Sequence, residues 1–278
     1  MATETLKPDL ADTGASEELE PPHRQPDPPA TATFRVWRGD REGGQLVDYT
    51  TSVSPGMVVL DAIHQIQADQ ANDLAVRWNC KAGKCGSCSA EVNGMPKLMC
   101  MTRLSELPLE KPVTVEPMRS FPPVKDLVTD VSWNFRVKTR IKPFRPRAPD
   151  AADGTWRMTQ PDVDRVQEFR KCIECFLCQD VCHVLRDHQL QEEFIGPRFL
   201  VHVAALEMHP LDVEDRVADL RRAHGIGYCN ITKCCTQVCP EHITITDNAI
   251  IPLKERVVDE FFDPLGRVLK VFSRGGKA

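Results

Sequence analysis

Residues 172–182 read C-I-E-C-F-L-C-Q-D-V-C, and no other stretch constrains the chain as much. The spacing C-x2-C-x2-C-x3-C holds cubane iron–sulfur clusters. Three thiolates on a tight loop bind three irons of one cluster, and the fourth thiolate reaches a different cluster. Such a run needs a second one, and residues 229–240 supply it as C-N-I-T-K-C-C-T-Q-V-C-P, with the same x3-C-P ending. Exchange of the fourth ligand puts Cys172, Cys175, Cys178 and Cys239 on a 4Fe–4S cluster, and Cys182, Cys229 and Cys235 on another. Thr232 stands where a second cubane needs its cysteine. Three ligands suit 3Fe–4S; a 4Fe–4S cluster results if Cys234 reaches the open corner. Adjacent residues on a tight loop point apart, so Cys234 is expected to be a buried, small apolar residue.

A third constellation lies nearer the N-terminus. Cys80, Cys85, Cys88 and Cys100 follow C-x4-C-x2-C…C, the plant-type 2Fe–2S spacing. The intervening K-A-G-K-C-G-S-C is built of small residues because backbone N–H groups must approach the bridging sulfides. Zinc also takes four thiolates, but its sites pair two C-x2-C knuckles, which x4 followed by x2 does not match.

Twelve cysteines without a secretory leader favour metal over disulfides and a reducing compartment. No run of about 18 apolar residues suggests a bilayer span. The net charge of −5 is local: residues 1–30 carry seven acids against Lys7 and Arg24, so the rest is neutral and gives no electrostatic case for nucleic acid. That segment is acidic, proline-rich and poor in large apolar groups, the composition of a disordered tail.

From residue 31 the pattern becomes that of a folded domain. Phe34 and Val36 alternate with Arg35 and Trp37 as a strand; Gly43-Gly44 reads as a turn before a second strand at residues 46–53. A helix follows over 57–71, with Val58, Ala62, Ile63 and Ile66 inward and His64 on its surface. Asn93-Gly94 makes a hairpin turn, and Val113 to Val115 is a last strand. Strands around one helix with a metal loop predict a β-grasp domain over 31–135. Pro143, Pro146 and Pro149 mark a linker. Helices are predicted over 197–208, 212–223 and 253–272, giving an α-helical domain over 136–278 and an α+β fold overall. The histidines at 188, 202, 209, 224 and 242 read as surface or capping residues. Phe261, Phe262, Leu265, Val268, Leu269 and Phe272, with Arg267, Lys270, Arg274 and Lys277, read as a packed face with a basic flank that also touches the membrane subunit or anionic lipid.

A plant-type loop followed by a double bacterial-type run resembles the iron–sulfur subunits of succinate dehydrogenase and fumarate reductase. The resemblance spans about residues 32–258. It rests on R-W-N-C-K-A-G-K-C-G-S-C at 77–88, N-G-M-P-K-L-M-C at 93–100, V-E-P at 115–117, F-P-P-V-K-D-L-V-T-D at 121–130 and Ile195-Gly196-Pro197. It implies three clusters relaying electrons from a FAD-containing subunit to an integral membrane anchor and, indirectly, to quinone. The succinate site then lies on a partner, consistent with the lack of a G-x-G-x-x-G or Walker loop here. It also implies a peripheral place on the cytoplasmic face of the inner (plasma) membrane. Three positions depart from the family pattern. Cys182 is followed by His183 instead of proline, residues 184–187 contain no tryptophan, and Asn230 replaces the usual histidine. Two other readings compete: an iron–sulfur adaptor of another flavin-linked reductase, and a zinc-stabilised interaction module.

Overall fold

The computed structural model describes residues 30–263. The acidic segment and residues 264–278, including Leu265, Val268, Leu269 and Phe272 of the expected C-terminal face, lie outside the described residues. Strands β1 (Thr31–Asp40) and β2 (Gly43–Ser52) pair antiparallel, with Asp40 opposite Gly43. The turn therefore falls at Arg41-Glu42, ahead of the Gly43-Gly44 pair that the sequence suggests. Gly44 answers a packing demand instead: a Cβ there would lie 2.5 Å from Trp37 Cζ2.

Helix α1 (Val59–Asp69) is shorter at both ends than expected. The Asp61 carboxylate accepts the Val58 N–H at 3.2 Å and fixes its start. Leu60, Ile63 and Ile66 are buried against Phe34, Val36, Val113 and Val115 of the sheet. Each such aliphatic side chain contributes about 1.5–3 kcal/mol by leaving water. His64 is half-buried, not a surface residue: its ring packs at 4.7 Å on Trp78. Strands β3 (Ser89–Val92) and β4 (Met95–Leu98) form the expected hairpin, with Asn93 and Gly94 both at positive φ. Strand β5 (Val113–Glu116) completes a five-stranded sheet in the order β2-β1-β5-β3-β4, parallel to β1 and antiparallel to β3.

A two-stranded ribbon, β6 (Pro123–Lys125) and β7 (Val128–Thr129), follows. The buried Asp126 in its turn accepts from Gly39 N–H and Arg38 Nε at 3.0 Å and from Ala75 N–H at 2.8 Å, clamping it to the sheet domain. Helix α2 (Ser132–Arg140) contributes Trp133 and Val137 to the core of the helical half.

The proline-marked stretch is docked, not free. Val213 N–H donates to Arg145 O at 2.9 Å, and Arg147 N–H donates to Leu211 O at 2.8 Å. Buried Arg216 donates to the carbonyls of Lys142 and Pro143 at 2.9 and 2.7 Å and pairs with Asp212 at 2.9 Å. Residues 212–216 are spent on this clamp, which is why the helix expected from 212 starts later.

The helices are α3 (Gln160–Gln167), α4 (Leu177–Asp180), α5 (His183–Arg186), α6 (Gly196–Glu207), α7 (Val217–Arg222), α8 (Cys234–Gln237) and α9 (Ile251–Phe261). Helix α6 starts at Gly196-Pro197 as expected and buries Phe199, Leu200, Val203 and Ala204. A π-helical turn, Ile245–Ile250, precedes α9 and stays wide because Thr246 and Asn248 bond sideways, to Thr236 and Glu168. The helix expected over 253–272 ends at Phe261, with Phe262 as its C-cap; residues 264–272 lie outside the described residues. His224 is buried and His202 half-buried, so neither is the surface or capping residue expected. The fold is α+β: a β-grasp sheet domain followed by a helical one.

Candidate metal centres

In the first thiol loop, Lys81, Gly83 and Gly86 have φ of 54°, 67° and 68°. These left-handed residues curl the backbone so that its amides face sulfur. Ala82 and Lys84 N–H donate to Cys80 Sγ at 3.3 and 3.4 Å, Ser87 N–H to Cys85 Sγ at 3.5 Å, and Cys100 N–H to Cys88 Sγ at 3.5 Å. Cys80 is exposed, Cys85 half-buried, and Cys88 and Cys100 buried. Burial lifts the Cys85 thiol, but hydrogen bonds from Ser87 and Cys80 outweigh it and bring it down to about 6. Cys88, deeper, is pushed up to about 12 by burial.

The second loop repeats the device with non-glycine residues: Glu174 and Phe176 have φ of 56° and 64°, and α4 starts directly after. Cys172, Cys175, Cys178 and Cys239 line one cavity, closed by Ile173, Phe176, Val201, Ile243 and Ile245. The third loop has the same form, with Ile231 and Lys233 at 64° and 62° before α8. Cys182, Cys229 and Cys235 line another cavity, along with His183, Asn230, Thr232 and Cys234. Cys234 is half-buried among the residues lining this cavity, not the fully buried apolar residue expected.

Burial pushes Cys175 and Cys182 up to about 12 and Cys235 up to about 11. Thiols so hard to ionise become ligands when a metal supplies the countercharge, since a bound cation deprotonates a coordinating thiol outright. Among the described residues no three His, Cys, Asp or Glu side chains converge to hold a single ion. The thiols of the second and third sets are arrayed around cavities, as the several-atom core of a cluster requires. The donor sets fit iron–sulfur clusters.

The three sites adjoin. Ser89 Oγ donates to both Gly86 O and Cys175 O at 2.9 Å, joining the first loop to the second. Lys84 pairs with Glu241 at 3.1 Å across the same seam. Beyond it, the buried Cys178 thiol lies within the electrostatic reach of Cys172, Cys175, Cys239 and Cys235, members of both later sets. A polar core missed at the level of sequence sits behind them. Glu91 of β3, fully buried, meets Arg119 and Arg186 at 3.1 Å each. Beside it, burial pushes the Asp180 carboxyl up to about 7, against the Ser120 amide and helped by the charge of Glu91. The short strand Ser-Ala-Glu-Val carries no signal for this network.

The family model described as a 2Fe-2S iron-sulfur cluster binding domain matches residues 33–136, and that of a 4Fe-4S dicluster domain matches residues 168–243. The fumarate reductase iron-sulfur subunit of Mycobacterium tuberculosis is 35% identical over 202 residues, 70% of this chain and 79% of the relative. The succinate dehydrogenase iron-sulfur subunit of Bacillus subtilis is 28% identical over 234 residues, 78% and 88% of the two. A chain of the Mycobacterium smegmatis Sdh1 complex in the apo form has 61% identity and a TM-score of 0.81, covering 84% of this chain and 98% of that one.

Fold and thiol sets thus define an iron–sulfur electron-transfer protein, with a 2Fe–2S β-grasp domain ahead of a helical dicluster domain. Within that class, the chain belongs to the family of iron–sulfur subunits of succinate dehydrogenases and fumarate reductases. Membership displaces the zinc-stabilised module.

Proposed function

We propose that this chain is the electron wire of a membrane-bound succinate dehydrogenase or fumarate reductase, linking a FAD-containing subunit to a quinone-linked membrane anchor. Cys80, Cys85, Cys88 and Cys100 would hold a 2Fe–2S cluster; Cys172, Cys175, Cys178 and Cys239 a 4Fe–4S cluster; Cys182, Cys229 and Cys235 a third. Bound clusters supply one-electron relay chemistry. The protein's share is to hold thiolates, direct amides at sulfur and keep water away. The observation that carries the reading is contiguity: Gly86 abuts Cys175 of the second set, and Cys178 of that set lies within the electrostatic reach of Cys235 of the third.

The succinate site and flavin belong to a partner in this proposal; the solved relative is likewise one chain of a complex. Among the described residues no helix is long and apolar enough to cross a membrane. Attachment at the cytoplasmic face would therefore run through the anchor subunit. The proposed division is a sheet domain over 31–135 and a helical domain over 136–278. Purification of the chain with its neighbours should yield a brown flavoprotein complex that passes electrons from succinate to a dye. A complex that contains the clusters and a flavoprotein but reduces no dye from succinate would assign the wire to another flavin-linked reductase.

A further inference from the structure

We infer that Cys234 is the fourth thiol of the third site, so that Cys182, Cys229, Cys234 and Cys235 hold a 4Fe–4S cluster instead of a 3Fe–4S cluster. The inference rests on the three-cluster reading above and specifies the last of the three.

The second and third loops are two copies of one backbone device, and their registers can be compared directly. Glu174 and Phe176 correspond to Ile231 and Lys233, all at positive φ, and a four-residue helix begins immediately after each pair. Cys172 then matches Cys229, Cys178 matches Cys235, and Cys175 matches Thr232. The residue matching Cys234 is Leu177. Leu177 turns away from its cavity and is buried in the core of the sheet domain. Cys234, at the same position, lines the cavity of its own site.

A second observation gives the direction of its sulfur. Cys234 Sγ lies 3.3 Å from Thr232 Oγ1, the hydroxyl in the register of the missing cysteine. The thiol displaced two positions along the chain is thus held beside the corner that Thr232 leaves without a sulfur ligand. A threonine hydroxyl is a poor iron ligand next to a thiolate, so the softer donor takes the fourth iron.

The test uses the full complex purified without oxygen and examined by electron paramagnetic resonance and iron analysis. A 3Fe–4S centre is paramagnetic when oxidised; an ordinary 4Fe–4S centre is silent until reduced. The expected wild-type complex is silent for its third cluster when oxidised and gains that signal on reduction. Cys234→Ala should then give the oxidised 3Fe–4S signal with one iron per chain fewer, while the 2Fe–2S signal is unchanged. Adding Thr232→Cys to Cys234→Ala should restore both the iron and the silence. A wild-type complex that already shows the oxidised 3Fe–4S signal overturns the inference and leaves the three-cluster reading intact. A wild-type complex with iron for two clusters only, and no third signal in either state, overturns both. The wild-type spectrum decides between these outcomes even if the variants fail to assemble.

Discussion

Gly86 and Cys175 touch backbone to backbone: a Cβ on the glycine would stand 2.6 Å from the Cα of the cysteine. The first thiol loop thereby lies against the second with no side chain between them, and Ser89 fastens the contact through both carbonyls. The spacing of the two thiol loops is set here by the absence of one methyl group.

Gly86→Ala should therefore damage the junction. The methyl meets main chain that cannot rotate away, so overpacking costs about 1–3 kcal/mol, and the left-handed φ of 68° adds a further backbone penalty. Gly94→Ala is the control: its φ is 75°, but nothing lies within 4 Å of a Cβ there, so only the backbone cost of about 1–2 kcal/mol remains. Thermal unfolding should rank Gly86→Ala below Gly94→Ala, and freeze-quenched resonance spectra should show slowed reduction of the second site in the former alone. Equal melting points and equal rates would mean that the loops can part without consequence.

Arg216 makes a second prediction. It is wholly buried among Asp212, Glu207 and the main-chain carbonyls of Lys142, Pro143 and Glu214. Arg216→Met should cost about 3–5 kcal/mol, because Asp212 would be left as an uncompensated buried charge. Arg216→Lys should recover only part of this, as an ammonium cannot reproduce the planar fork. The exposed pair Arg35–Asp48 offers the contrast, and Arg35→Ala should shift the melting point little. Limited proteolysis across residues 142–149 would detect release of the docked stretch in the Arg216 variants.

The contrast between these two arginines also marks what could be read from the chain alone. Thiol spacing is a local code, so the grouping of Cys80, Cys85, Cys88 and Cys100 needs only residue types and intervals. The inward face of α1 and the Asn93-Gly94 hairpin are local too, set by period and by turn chemistry. Arg216 works through carbonyls more than seventy positions away, and Glu91 through Arg186, 95 positions away. No periodicity within a window can reveal such partners. Gly44 was misplaced for the same reason: a turn and a close approach to an indole make the same demand on sequence. Cys234 failed differently: it is half-buried among the residues lining the third cavity, whereas its counterpart Leu177 is buried in the core of the sheet domain.

A pH dependence follows from His202 on α6. Burial first, then the charges of Arg198 and Lys138, bring its imidazolium down to about 4. Unfolded, the ring takes up a proton near its ordinary 6.5, so between those values the unfolded chain binds more protons than the folded one. The contribution is fully present above about pH 6.5 and declines as pH falls towards about 4. His202→Gln should flatten this part of the stability profile, leaving the smaller contribution of buried His224, whose pKa burial also lowers. Melting points of the complex compared at neutral and mildly acidic pH test this; an unchanged slope in His202→Gln would reject it.

The last prediction concerns where the electron leaves. In the family that the chain resembles, a Cys-Pro turn, a tryptophan and a histidine beside the third cluster help to line the quinone pocket. Here the first is Cys182-His183, and Val184 and Leu185 in the tryptophan's stretch are buried in the helical core. Asn230 stands for the histidine, and both His183 and Asn230 line the third cavity itself. A missing indole removes a broad apolar wall together with an N–H donor. His183 or Asn230 could replace the donor, but neither replaces the wall. The acceptor should therefore be supplied by the membrane partner, through a pocket of its own or a further redox centre. Alanine at His183, Asp187 or Asn230 should leave quinone affinity nearly unchanged while the cluster spectra persist. A tenfold rise in quinone KM from any one of them, about 1.4 kcal/mol of binding where KM tracks affinity, would show that this loop still builds the pocket.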